Sequence, residues 1–346
     1  MGNQKQDEKR HVVISGGAGY IGSYLVSMLL RDNYKVTVLD NLLFGGESLL
    51  PHLHHPKFQF IHADVADFDR LLKDTFSDTG DEPPEKIFVH LAALVGFPAC
   101  QKIGREETFQ VNVEGVRRAY ELADRIGSKR FIFSSTYSVY GFANDGKLVS
   151  EASPLNPQSI YGESKAAAEE YLTEVKDQSS PWPIIFRFAT LFGVSPRMRF
   201  DLIVNQFTLE AYNKGILKIF EKNVSRSFLH LRDTVRGIRK AMDAPIEDVG
   251  GEIINLGSDK LNFKKEEIIG MIQEALPETT IQFEDLHFDE DMRDVSVDFS
   301  KARKLLKFEA RISVQEGIDE VINLLASGLI RDPFSPRYRN ADFIVS

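Results

Sequence analysis

Short apolar runs alternate with helical patterns along the first half of the chain. Runs rich in β-branched and aromatic residues predict five buried strands, at residues 11–15, 35–40, 58–65, 87–93 and 130–136. Helical patterns lie between them at 23–30 and 104–126. Strands that alternate with helices favour a parallel sheet covered on both faces, so we predict a doubly wound α/β fold. Ligands bind such a sheet at the carboxyl ends of its strands.

The second half of the chain mixes shorter strands with more helices and contains no internal repeat. Strands are predicted at 184–189, 217–220, 226–231 and 252–256, and helices at 164–174, 202–213, 234–242, 264–276, 301–306 and 314–325. Asp233 is predicted to cap the N-terminus of the helix at 234–242. Residues 1–10 are polar and charged, which predicts a disordered extension, and residues 331–346 form a tail with no assigned structure.

Charge and composition narrow the class of function. The 346 residues carry a net charge of −9, which argues against a surface for nucleic acid or for an anionic membrane. No apolar run approaches the ~20 residues of a membrane span, and the N-terminus lacks the apolar region of a signal peptide. The single cysteine, Cys100, fits a reducing compartment, and no metal site is predicted. We therefore expect a cytoplasmic protein.

A glycine-rich turn follows the first predicted strand and precedes the first helical pattern. Gly16, Gly19 and Gly22 satisfy the pattern G-x-x-G-x-x-G. Glycines at this spacing allow a tight turn and a close approach of a pyrophosphate to the backbone. The helical pattern that follows begins at Ser23, and its first amides attract the negative charge of the phosphates. Tyr20 and Ile21, which precede it, are assigned to the same site. The order strand, turn and helix predicts a dinucleotide site.

Asp40 ends the second predicted strand, about 20 residues after the glycines, where an acid hydrogen-bonds the adenosine ribose hydroxyls. A carboxylate at this position repels a 2′-phosphate, so the predicted cofactor is NAD rather than NADP. Asn41 follows directly and is assigned to the same site.

Two further strand ends are assigned to the cofactor. Asp64 and Val65 are predicted to flank the adenine, although a solvated loop acid explains Asp64 equally well. Small residues at the end of the fourth strand let the backbone pass close to the cofactor, at Leu91, Ala92 and Ala93.

Tyr161 and Lys165 lie four residues apart at the start of an alanine-rich helical pattern, so both side chains share one helix face. A tyrosine has a pKa near 10 and is a poor base at neutral pH, but a nearby ammonium lowers that pKa. The pair can then act as a general acid and base near pH 7. Taken alone, the spacing also fits a half-buried tyrosine beside a solvated lysine.

The motifs together identify a resemblance to a known family. The glycine turn, Asp40, Asn112, the segment 134–141 and the Tyr161/Lys165 pair resemble the extended short-chain dehydrogenases/reductases, and more narrowly the NAD-dependent nucleotide-sugar epimerases and dehydratases. The similarity covers residues 11–325. It implies a Rossmann-type NAD-binding domain at 11–185, to which strands near 226–256 return, and a smaller, mainly substrate-binding domain at 186–330. It also implies a homodimer joined by a four-helix bundle, built from helices near 105–125 and 160–177.

The resemblance implies roles for individual residues by their position in the family's motifs. Tyr161 is the acid and base, Lys165 orients the nicotinamide ribose and lowers the tyrosine pKa, and Thr136 hydrogen-bonds the reacting hydroxyl. The implied substrate-binding residues are Thr136, Thr190, Arg226 and Arg293. Both arginines are assigned to the diphosphate of the nucleotide sugar, because a guanidinium binds phosphate oxygens in pairs. An ion pair of Arg293 with Asp294 or Asp298 is an equal alternative.

One departure from the family's pattern bears on the reaction. The dehydratases carry an Asp-Glu pair after the hydroxyl residue, whereas this chain has Tyr137 and Ser138, so the machinery for water loss is absent. The first hypothesis is an epimerase with a transient 4-keto intermediate. The second is a nucleotide-sugar 4-dehydrogenase or reductase that releases or consumes the ketone. The third is a sensor that binds NAD without turnover, against which the intact Thr136, Tyr161 and Lys165 argue.

Overall fold

The computed structural model describes residues 10–71, 76, 85–141, 148–176, 181–219, 224–283 and 295–345. Strands are numbered along this part of the chain as β1 (Arg10–Ser15), β2 (Lys35–Asp40), β3 (Phe58–His62), β4 (Glu85–His90), β5 (Ser128–Thr136), β6 (Trp182–Phe188), β7 (Thr190–Phe192), β8 (Ile216–Ile219), β9 (Ser225–His230), β10 (Ile253–Leu256), β11 (Asn262–Lys264) and β12 (Thr280–Phe283). The helices are α1 (Tyr20–Arg31), α2 (Phe97–Ile103), α3 (Arg105–Phe109), α4 (Gly115–Arg125), α5 (Ile160–Val175), α6 (Ile203–Lys214), α7 (Leu231–Asp243), α8 (Ile246–Val249), α9 (Lys265–Ala275), α10 (Ser300–Leu306), α11 (Val314–Ala326) and α12 (Asn340–Val345).

A seven-stranded parallel sheet forms the centre of the molecule, in the order β10-β6-β5-β4-β1-β2-β3. Successive residues of a strand point to opposite faces, so Val12 and Ile14 pack with α1 and α7 while Val13 packs with α4 and α5. Because both faces are covered by helices, the central strands carry buried apolar residues on both faces. The prediction of a doubly wound α/β fold is confirmed.

A second, smaller region packs beside the central sheet. It holds the three-stranded sheet β11-β9-β7 and the two-stranded sheet β12-β8. Helices α6, α9 and α11 share a separate apolar core with β7 and β9, which includes Val204, Ile268 and Ile318. Of the strands predicted to return to the cofactor domain, β10 joins the central sheet and β9 joins the smaller one. The proposed domain limits at 185/186 and 330 stay a prediction.

The structure differs from the predicted boundaries at several points. Arg10 is the buried first residue of β1, whereas the rest of the predicted extension lies outside the described residues. Asp233 lies inside the first turn of α7 rather than capping it, because its carboxylate accepts backbone hydrogen bonds from Arg311 and Ile312 at 2.7 and 3.0 Å. The tail contains a short turn at Pro336–Tyr338 and helix α12. No helix in the described part of the chain has the length and apolar character needed to cross a membrane.

Candidate active site

A cleft of about 510 Å³ lies at the carboxyl ends of the central strands. Most of the predicted site residues line it, namely Gly16, Gly19, Tyr20, Ile21, Asp40, Asn41, Asp64, Val65, Leu91, Ala92, Ala93, Thr136, Tyr161 and Thr190. Lys165 and Arg226 are buried outside this lining. Arg293 lies outside the described residues. The structure therefore brings the predicted cofactor residues, the tyrosine and the threonine to one cleft.

The glycine turn is packed against the end of β4. Gly16 has a φ of +78°, and a Cβ on it would lie 2.6 Å from the backbone nitrogen of Ala92. A Cβ on Gly22 would lie 2.2 Å from the carbonyl oxygen of Gly16. Side chains at these positions would clash with backbone, so the turn needs glycine. Helix α1 begins at Tyr20, and its first amides therefore lie beside the turn, where they suit a pyrophosphate.

Asp40 lies at the end of β2 with each carboxylate oxygen held by one backbone amide. Oδ2 accepts a hydrogen bond from Ala18 N, and Oδ1 accepts one from Leu42 N, both at 2.9 Å. Each oxygen keeps a further lone pair for a ribose hydroxyl. Burial raises the pKa of Asp40, and the two backbone hydrogen bonds oppose that shift. The neighbouring Asn41 donates a 2.7 Å hydrogen bond to Asp64, whose other oxygen caps the turn at Val65–Arg70.

Tyr161 and Lys165 lie in the first two turns of α5, which begins where Ser159 accepts a hydrogen bond from Gly162 N at 3.1 Å. Lys165 is 2% exposed, and its Nζ donates to the carbonyl oxygen of Ser134 at 2.9 Å. Burial lowers the pKa of Lys165 to about 8. The ammonium is therefore still largely protonated at neutral pH and lies one helical turn from Tyr161.

Hydroxyl groups line the cleft near Thr136. The Thr136 Oγ1 lies 2.8 Å from the Ser138 hydroxyl and accepts a hydrogen bond from Ser138 N at 3.2 Å. The Tyr137 hydroxyl lies 2.8 Å from Thr190 Oγ1. Each of these hydroxyl groups can donate or accept a hydrogen bond with a hydroxyl of a bound ligand.

Polar residues of the cleft that the sequence did not indicate include Arg197, Arg199 and Asn340. Arg199 donates from Nε and Nη2 to the two oxygens of Asp201, both at 2.9 Å. Its charge also interacts with Tyr161. The two arginines between Ser195 and Asp201 could have indicated an anion site, because basic side chains at alternate positions of a loop can bind one anion together. No local pattern indicated Asn340, which reaches the cleft from the C-terminal segment of the chain.

Residues 12–257 match the model of the NAD dependent epimerase/dehydratase family. The chain belongs to this family. Its dependence on NAD confirms the predicted cofactor, and the glycine turn, Asp40 and the unobstructed cleft fit that cofactor. Members of this family are enzymes, so the prediction of an enzyme is confirmed as well.

Three similar proteins illustrate the range of the family. UDP-glucuronic acid decarboxylase 2 of Arabidopsis thaliana is 30% identical, over 89% of this chain and 66% of its own length. The chain thus spans just under two thirds of the length of this relative. The uncharacterized UDP-glucose epimerase YtcB of Bacillus subtilis is 30% identical, over 91% of this chain and 98% of its own. The crystal structure of UDP-glucuronic acid 4-epimerase from Bacillus cereus, in complex with UDP-glucuronic acid and NAD, is 25% identical with a TM-score of 0.76, over 92% of this chain and 99% of its own.

Proposed function

We propose that this protein is an NAD-dependent nucleotide-sugar epimerase that works through a transient 4-keto sugar. The observation that supports this most directly is that Tyr161, Thr136 and the glycine turn line one cleft. A hydroxylated sugar carbon can therefore meet the acid/base residue and the dinucleotide at the same time, and such positioning supplies much of the rate.

In this mechanism Gly16, Tyr20 and Asp40 hold the dinucleotide, whose oxidised nicotinamide accepts a hydride from the sugar and returns it. Tyr161 takes the proton of the reacting hydroxyl and later gives it back. The ammonium of Lys165 favours the phenolate form of Tyr161. Thr136 hydrogen-bonds the same hydroxyl and holds its oxygen toward the tyrosine.

Elimination chemistry is less well supported by the residues around Thr136. Loss of water from the sugar requires a further acid and base beside the reacting carbons. The next two residues are Tyr137 and Ser138, and the carboxylates in the described cleft lining are Asp40, Asp64 and Glu107. Asp40 and Asp64 lie at the predicted adenosine end. The hydroxyl groups near Thr136 therefore suit reversible oxidation of the sugar better than elimination of water.

The test is to incubate the protein with NAD and a panel of UDP-, GDP- and dTDP-sugars and to identify the products by NMR. A stereoisomer with no net NADH is expected. A released keto sugar with bound NADH supports the 4-dehydrogenase alternative, and an unsaturated or decarboxylated sugar refutes both. Tyr161→Phe should lower turnover by about 10²–10⁴-fold while NAD remains bound. Turnover near that of the wild type would overturn the role of Tyr161.

We further propose that Thr190, Arg226 and Arg293 contact the nucleotide sugar, and that two copies associate through α3, α4 and α5 in the cytoplasm. Helices α3 and α5 are adjacent and are joined by an ion pair between Arg105 and Glu163. Light scattering after gel filtration should give the mass of a dimer. A monomer at micromolar concentration would contradict the proposed association.

A further inference from the structure

Arg197 lies in the loop after β7 with its guanidinium in the cleft wall. The residue is 8% exposed, and its Nη2 is buried without a hydrogen-bond partner. No described residue forms an ion pair with it. Its guanidinium carbon lies over the ring of Phe44, 4.4 Å from the ring centroid. A buried charge without a partner is costly, so buried charges are normally paired. This guanidinium therefore indicates an anionic ligand.

Asn340 is the second polar group of this wall. It is 2% exposed and lines the cleft, and its Oδ1 is buried without a hydrogen-bond partner. Its backbone nitrogen donates a 3.0 Å hydrogen bond to the carboxylate of Asp201, which holds the backbone of Asn340 in place. A buried carboxamide oxygen with no partner among the described residues suits a ligand that carries a hydroxyl or another donor.

The C-terminal segment around Asn340 is tied to three parts of the cleft. Tyr338 accepts a backbone hydrogen bond from Phe200 at 2.9 Å. Arg337 pairs with Glu47, at 2.9 Å, in the segment that follows β2. Helix α12 packs against α2. These contacts preform the wall. Because Arg199 pairs with Asp201, Arg197 is the unpaired arginine among the described residues of the cleft lining.

We propose that Arg197 and Asn340 form a polar subsite that binds a diphosphate group and an adjoining ribose hydroxyl, in the first place those of the dinucleotide. Arg197 interacts electrostatically with Asp40 and stacks on Phe44, both at the predicted adenosine end of the cleft. The turn from Gly16 to Gly22 contributes backbone donors but no basic side chain. Arg197, from the second region of the molecule, would add a charge-assisted hydrogen bond to the phosphates.

The inference rests on the cofactor of the proposed function but not on turnover, so binding tests it separately. Nucleotide is removed from the purified protein, and adenosine, ADP-ribose, NAD and UDP are titrated by calorimetry into the wild type, Arg197→Met, Asn340→Leu and the control Arg303→Met. Loss of a charge-assisted hydrogen bond in Arg197→Met should weaken ADP-ribose and NAD about tenfold to a hundredfold. Asn340→Leu should weaken them about two- to tenfold. Adenosine binding, and all binding by the Arg303→Met control, should stay within about twofold of the wild type, because Arg303 lies outside the cleft lining and forms an exposed ion pair with Asp259.

The pattern of losses identifies the source of the diphosphate. A loss confined to UDP supports the subsite but assigns it to the nucleotide sugar. Unchanged affinity for ADP-ribose, NAD and UDP in Arg197→Met, or an equal loss for adenosine, overturns the proposal while the epimerase mechanism stands. Circular dichroism controls for folding, and Arg197→Met decides the question if Asn340→Leu does not fold.

Discussion

Two buried arginines in this molecule have opposite surroundings. Arg187 on β6 is 2% exposed and donates to both oxygens of Glu169 and to the Tyr140 hydroxyl, with the last bond at 2.9 Å. Arg197 on the cleft wall is 8% exposed and has no such partner. Because both charges are removed from water, the paired one serves the fold and the unpaired one indicates a ligand. Hydrogen-bond satisfaction, rather than burial or residue type, separates the two.

The paired arginine belongs to a network behind the active-site helix. Glu169 lies one turn beyond Lys165 on α5 and also accepts a hydrogen bond from Ser135 on β5. The Tyr140 hydroxyl donates onward to Asn255 on β10 at 2.7 Å. The network therefore joins α5 to three strands of the sheet and holds the helix that carries Tyr161 and Lys165.

Breaking the satisfied network should have the largest effect on stability. Glu169→Met leaves the Arg187 charge buried without its carboxylate, which should cost about 3–5 kcal/mol of the free energy of unfolding. Urea denaturation measures it. The double variant Glu169→Met/Arg187→Met should recover most of the loss, since no charge remains buried. A single variant as stable as the wild type would mean that the pair is not the main partner of Arg187.

Asp40 is intermediate between the two arginines in how far its hydrogen-bonding groups are satisfied. Each of its carboxylate oxygens has one backbone partner and can accept a second hydrogen bond. Asp40→Asn keeps an acceptor for the backbone but loses the charge. NAD affinity should fall about tenfold to a hundredfold, and the preference for NAD over NADP should narrow because the repulsion of the 2′-phosphate is gone. Calorimetric titration with both dinucleotides tests this. An unchanged preference would place the ribose elsewhere.

Lys165 is buried like the arginines but can lose its charge in the experimental pH range. Burial lowers its pKa to about 8, so the ammonium is present below that pH and is lost above it. If the ammonium assists Tyr161, turnover should fall as the pH rises through 8, and should be about tenfold lower one pH unit higher. A profile of kcat against pH measures this. Lys165→Met should lack this descending limb, and a flat wild-type profile up to pH 9.5 would contradict the role of the charge.

The smallest expected effect is on the stability of the Arg197→Met variant. Arg197→Met removes a buried charge that forms no ion pair with a described residue, so the ligand-free protein should change by less than about 1 kcal/mol or become slightly more stable. Saturating NAD should then stabilise the wild type more than the variant, because ligand stabilisation grows with affinity. Urea denaturation with and without NAD measures both. A loss as large as that in Glu169→Met would mean that the two arginines do not differ in role.

Much of the cofactor side of the cleft was predictable because its determinants are local. The glycine turn is recognised from the spacing of its own glycines, and Asp40 is the last residue of its strand. Tyr161 and Lys165 are one helical turn apart. The strand ends were less certain, since residues 58–65 were predicted as one strand and β3 ends at His62, where Asp64 caps the next turn. Asp233 was predicted as a cap and instead accepts hydrogen bonds from a distant segment.

The sequence by itself determined the fold class, the dinucleotide turn, the acid/base pair and the family. These features depend on the alternation of apolar residues and on spacings within a strand or a single helical turn. Only the tertiary structure decided which polar groups are satisfied. Arg187 pairs with Glu169, Arg197 has no ion-pair partner among the described residues, and Asn340 reaches the cleft from the C-terminal segment. Partners far apart in the chain leave no periodic pattern, because the packing of whole elements brings them together.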